Sequence, residues 1–214
     1  GHGTFIAGLL RLSAPDAMSM PVKVLTSDGN GDGFLWAKGI FHAVDQGVDV
    51  INMSMGSTYD ARALKDALVE ARDAGIIVVG AAGNQNTDEF PEHPATTEDA
   101  AIGVAASNSN DQKASFSNYD DKIVITAPGA DGIYGFLPTQ QNQGLYAEWD
   151  GTSFSTAFVS GTTALILAAN PEWPRNASRL GAVQMALRNS AMPMGDPYYD
   201  DGHLGGRLLD AVGA

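Results

Sequence analysis

The 214-residue chain carries 25 acidic against 12 basic side chains, a formal charge of -13 with no basic cluster, which argues against nucleic acid or an anionic membrane surface as partner. It has no cysteine, so disulfides, thiol catalysis and a cysteine-ligated zinc site are excluded. A hydrophobic content of 44% with 25 glycines suits one α/β domain, 1–214, built around a single sheet, with no apolar run read as a membrane span and no signal-peptide pattern at the start.

Gly1 to Leu12 spaces Phe5, Ile6, Leu9 and Leu10 as a helix does, which places His2 at the start of a buried helix. Val22 to Leu25 reads as a short strand. The loop after it, Asp28-Gly29-Asn30-Gly31-Asp32-Gly33, matches the first half of an EF-hand loop, but Gly39 stands where the closing Glu is needed, so a flexible loop and not a metal site is expected. Phe34 to Gln46 is an amphipathic helix with Leu35, Ile40, Phe41 and Val44 on its apolar face, closed by Gly47. Val48 to Met53 is a strand, Ala61 to Ala74 a helix ended by Gly75, and Ile76 to Ala81 a continuous apolar strand. Strand–helix–strand order with strands apolar throughout indicates a mainly parallel sheet covered on both faces, a three-layer α/β/α fold.

Ala101 to Ala105 and Ile123 to Ala127 are further strands, Tyr134 to Gln143 a surface excursion, and Leu180 to Asn189 a late helix with Ser178 as its N-cap. Between the last two lies Gly151 to Ala169, hydroxyl-rich at first and then small and apolar on all sides, as a fully buried helix is. Ser153 stands at its start, where unpaired backbone N–H groups attract developing negative charge. Taken alone, Ser153 is more simply an N-cap, His2 a satisfied core histidine and Asn84 a turn residue.

Four segments in order change that balance: Gly1-His2-Gly3-Thr4, Asn52-Met53-Ser54-Met55-Gly56, Ala81-Ala82-Gly83-Asn84 and Gly151-Thr152-Ser153. Together they resemble the subtilisin-like serine proteases over nearly the whole chain. Lys113 to Asn118, Ala127-Pro128-Gly129 and the closing Gly205 to Ala211 support the resemblance. It implies an endopeptidase with Ser153 as nucleophile, His2 as general base and Asn84 as oxyanion donor beside the Ser153 N–H. It also implies that Ser54, Met55, Gly56, Ala81, Ala82 and Gly83 flank the pocket for the residue before the cleaved bond, pairing with substrate as an added strand, while Gly33, Trp36 and Met55 form a further apolar subsite. With Gln85 after Asn84, the pocket is expected to prefer uncharged, apolar side chains.

The implied partners are a protein or peptide substrate and an N-terminal propeptide, with an extracytoplasmic location and no cofactor or metal. Two departures stand out: Ala157 occupies a place where most subtilases have Pro, and the family's triad begins with an Asp for which no residue precedes Gly1. The expectation is a catalytic domain truncated at its N-terminus and close to inactive as it stands. Two other readings remain: a non-catalytic subtilase-like peptide-binding domain, and an α/β-hydrolase. The latter requires Gly-x-Ser-x-Gly with His last in the chain, which is not the order here.

Overall fold

The computed structural model describes residues 1–90, 92–97, 99–137, 145–194, 202–205 and 207–211. In chain order the elements are α1 (His2–Ser13), α2 (Gly33–Asp45), β1 (Val50–Met53), α3 (Arg62–Asp73), β2 (Ile77–Ala81), β3 (Ile102–Ser107), β4 (Ile123–Pro128), β5 (Tyr134–Phe136), β6 (Tyr146–Glu148), α4 (Thr152–Ala169) and α5 (Ser178–Ser190). The strands β1-β2-β3-β4 lie side by side in that order, all parallel. Parallel neighbours need crossovers, and α3 supplies the one from β1 to β2.

Alternation along the strands divides the core between two faces. On β2, Ile77 and Val79 join Val159, Ile166 and Leu167 of α4 and Val183 and Leu187 of α5. Val78 points the other way, into Trp36 and Ile40 of α2 and Leu64 and Leu68 of α3. Helices on both faces give the three-layer α/β/α arrangement.

The 18-residue α4 packs on all four of these strands and on α1 and α5. Its mean hydropathy of 1.3 is enough, with its length, for a membrane span, which corrects the expectation that no run qualifies. Its environment is protein: 67% of that window is buried. Gly161 makes the crossing with α1 possible, because a Cβ there would run into the Ser13 side chain. Ala157, fully buried in a cluster with Phe5, Ile6 and Leu9 of α1, continues the helix without the proline.

Three local expectations change. Val22 to Leu25 is not a strand: it pairs with none of the described strands, and extended backbone without a partner is not a sheet. On α2 the buried residues are Trp36, Ala37, Ile40 and Ala43, whereas Leu35 and Phe41 are 38% and 40% exposed. Ala37 of α2 shares a cluster with Ala67 and Ala71 of α3, where close approach admits a small residue and not a bulky one. At α5 the capping oxygen belongs to Asn176, whose Oδ1 accepts from Ser178 N at 3.0 Å and Ser178 Oγ at 2.7 Å.

The excursion after Ile133 is an antiparallel pair, β5 with β6, and residues 138–143 of the expected span lie outside the described residues. Near the C-terminus, Arg207 O accepts from Thr126 N and Leu209 N donates to Thr126 O, so this tail runs along β4.

Candidate active site

Ser153 is the second residue of α4, behind an N-cap, Gly151, that makes no side-chain capping bond. Ser153 is thus not the cap: its Oγ donates to Ser54 O at 3.2 Å, and its own carbonyl accepts from Ser54 Oγ at 2.7 Å. The turn before it is fixed from β4: Gly151 N donates to Gly129 O at 2.8 Å and Ser155 Oγ to Ala127 O at 2.9 Å. Behind Ser54 a chain of hydroxyl and amide groups continues inward, Ser160 Oγ to Asn52 Oδ1 at 2.9 Å and Asn52 Nδ2 to Ser54 Oγ at 2.9 Å.

Asn84 lies just past the carboxyl end of β2, where ligand sites of parallel sheets gather. Its Oδ1 accepts from Thr152 N at 2.9 Å and Thr152 Oγ1 at 3.0 Å. With the oxygen held, the Nδ2 end turns toward Gly151 and makes no hydrogen bond among the described residues. The turn is stitched from behind by Asn118, which accepts from Gln85 N at 2.8 Å and donates to Ala82 O at 3.0 Å and Gln85 Oε1 at 2.9 Å. Gly83 N completes the link by donating to Thr152 Oγ1 at 3.2 Å.

His2 opens α1 on the same corner, half-buried. Its ring lies 5.9 Å from that of Trp149, edge to face, and 6.0 Å from that of Phe154, the residue after Ser153. Phe5 and Phe154, 4.6 Å apart, extend the stack into the core. Burial lowers the His2 pKa below 6.5. Thus the neutral ring, the form able to accept a proton, is favoured. Among the described residues no carboxylate and no Ser153 hydroxyl is hydrogen-bonded to it.

The subtilase family model matches residues 1–212 of this chain. Subtilisin DY of Bacillus licheniformis is 36% identical over 214 residues, covering 93% of this chain and 73% of its own length. Subtilisin NAT of Bacillus subtilis subsp. natto is also 36% identical, covering 92% of this chain but 52% of its own length. Among solved structures, a lanthipeptide protease superposes with a TM-score of 0.86 at 26% identity, covering 100% of this chain and 74% of that one.

The chain belongs to the subtilase family.

In this subtilase the two wall segments differ in what their backbone can still do. Ala82 N donates to Val104 O and Ala82 O is taken by Asn118; Gly83 N goes to Thr152 Oγ1 and Gly83 O accepts from Asn118 N. The backbone N–H and C=O groups of Ala82 and Gly83 are therefore all engaged within the fold. On the other wall Met55 and Gly56 make no backbone hydrogen bond among the described residues. Ala81 is a buried end of β2 and Ser54 is buried against Ser153.

Trp36 is buried, and Gly33 begins α2 against Ala61. An open groove of about 530 Å³ runs over Gly31, Gly33, Trp36, Ser57, Tyr59 and Ala61. Asp32, from the loop with EF-hand-like spacing, accepts from Leu35 N at 2.8 Å and so caps α2. Among the described residues no group of three or more His, Asp or Glu side chains comes together.

One residue in this cleft was missed from the sequence. Glu92 is only 9% exposed, and its carboxylate lies between the two walls: a Cβ on Gly56 would collide with Oε2 and a Cβ on Gly83 with Oε1. The neutral side chains expected along the two walls are thus joined by an acid. Glu92 lies in a polar loop with no periodicity to assign it a direction, so only the fold brings it to Gly56.

Proposed function

We propose that this subtilase is a serine endopeptidase in which Ser153 attacks the scissile carbonyl, His2 takes its proton, and the Ser153 N–H and Asn84 Nδ2 receive the oxyanion. The observation that carries the reading is the tethered amide of Asn84: both Thr152 donors hold its oxygen, leaving its N–H groups beside the nucleophile's helix end. Donors fixed where charge develops need no reorganisation during reaction.

In this reading Ser153 Oγ leaves Ser54 O for the His2 ring as substrate enters. The new C–O bond forms as the proton moves to His2; the C–N bond then breaks as His2 returns that proton to the leaving amine, and water repeats the cycle on the acyl group. Ser54, Met55 and Gly56 receive the peptide backbone, and Gly33, Trp36 and Met55 line a further subsite along the groove. The carboxylate that would orient His2 has no counterpart among the described residues. A propeptide and export from the cytoplasm remain parts of the proposal that the family resemblance motivates.

A fluorophosphonate probe, which reacts with activated serines, tests this on the full-length protein. The expected result is labelling that Ser153→Ala abolishes. Labelling that survives the substitution, or no labelling of the wild type, overturns the reading.

A further inference from the structure

The slot between Gly56 and Gly83 opens beside Ser153, because each wall is bonded to that end of α4: Ser54 to the Ser153 carbonyl and Gly83 to Thr152 Oγ1. What fills the slot is the end of the Glu92 side chain. The two glycines are what permit this, since any larger residue at either place would displace the carboxylate. Gly83 also has φ +106, a conformation that disfavours side chains independently.

A buried carboxylate is costly unless a cation compensates it, and Glu92 has none. It forms no salt bridge with any described Lys, Arg or His. The neighbouring His93 is turned away to Thr97 Oγ1 at 3.1 Å. Asp120, paired with Lys122 at 4.0 Å, lines the small cavity behind Glu92. Burial raises the Glu92 pKa, opposed by a hydrogen bond from Gln85, as expected of an acid that lacks its counterion.

We propose that Glu92 is a specificity-determining residue whose carboxylate, set between Gly56 and Gly83, selects peptides with Lys or Arg immediately before the cleaved bond. This rests on the serine-peptidase reading of the same cleft. A Lys or Arg stem is apolar and fits between two glycine backbones, while its charged end meets the carboxylate at the bottom of the slot. The Glu92 head is the far end of a flexible side chain, so it retreats as the cation enters. A large apolar side chain would instead bury the unpaired charge more deeply.

The test uses binding without turnover, in full-length protein carrying Ser153→Ala. Calorimetric titration compares three peptides that differ only in the C-terminal residue: Arg, its uncharged isostere citrulline, and Phe. The Arg peptide is expected to bind at least about tenfold more tightly than the other two, the scale of a hydrogen bond to a charged partner. Adding Glu92→Gln should remove that advantage. Equal binding of Arg and citrulline peptides, tighter binding of Phe, or an Arg advantage that survives Glu92→Gln overturns the proposal. The citrulline comparison needs no substitution at Glu92, so a variant that fails to fold leaves the test intact. If the wild type resists the fluorophosphonate while Arg selectivity holds, the peptidase reading falls and the cation slot stands.

Discussion

Ser153 and Asn84 are tied to their surroundings by side-chain hydrogen bonds, whereas the His2 ring, on the same corner, makes only ring contacts among the described residues. Thr152 fixes the Asn84 amide, Ser54 and Ser153 bond each other in both directions, and Asn118 braces the turn behind. His2 touches Trp149 and Phe154 and bonds to neither a carboxylate nor Ser153. Hydrogen bonds are directional and set which end of an amide faces the reaction; packing fixes a ring's place but permits it to turn. In the proposed mechanism, the half that would stabilise charge is preorganised and the half that would move a proton stays adjustable.

The comparison breaks most visibly at His2. His2→Ala in the full-length enzyme is expected to lower kcat by about a million-fold, a magnitude established for subtilisin, a relative. Because no hydrogen bond to another side chain is lost, the melting temperature should move little. Calorimetry showing a collapse of the fold would make His2 structural.

Asn84→Asp sharpens the contrast on the other half. It keeps an acceptor for both Thr152 donors but removes the N–H groups, so kcat should fall roughly 100- to 1,000-fold while KM stays close to its original value. Asn84→Leu, which also orphans the Thr152 donors, should cost a further ~1–3 kcal/mol of stability. Steady-state kinetics with denaturant titration of both variants would separate the two effects; equal stabilities would show that the Thr152 tether contributes nothing.

The smallest effect expected is on pH dependence. His2 is neutral above its lowered pKa, so kcat/KM should rise with pH through a limb below 6.5. Between that lowered value and 6.5 the unfolded chain binds more protons at this site; its contribution to stability is therefore present above 6.5 and is lost as pH falls through the window. Trp149→Ala rehydrates the ring and should move the limb up toward 6.5. A limb unchanged by that substitution would remove burial by Trp149 as the cause.

Much of the fold was legible because its signals are local. The run Ile77–Ala81 has no polar side chain, Ile123–Pro128 has Thr126 as its one polar residue, and α3 repeats Leu64, Ala67, Leu68 and Ala71 at helical spacing. Where the signal was bulk alone, it misled. Phe41 outweighs Ala37 in hydrophobicity, yet the alanine is buried because α2 comes close to α3 there. Val22 to Leu25 has the composition of a strand but no paired neighbour. The length and apolarity of α4 do not distinguish a membrane span from a core helix; contact with four strands does.

By itself the sequence determined the three-layer α/β/α class, because periodicity, glycine turns and helix ends are written in neighbouring residues, while Ser153, Asn84 and His2 stood out only through the resemblance of four ordered segments to the subtilases. Tertiary structure alone decided what those side chains face. The Asn84 oxygen finds Thr152 across a separation of 68 residues, and the Ser153 hydroxyl finds Ser54 across 99. Glu92 reaches the slot between Gly56 and Gly83 only because β1 and β2 lie side by side and end on the same edge of the sheet. The direction of a side chain outside periodic structure depends on which distant backbone leaves room for it, and no local pattern records that.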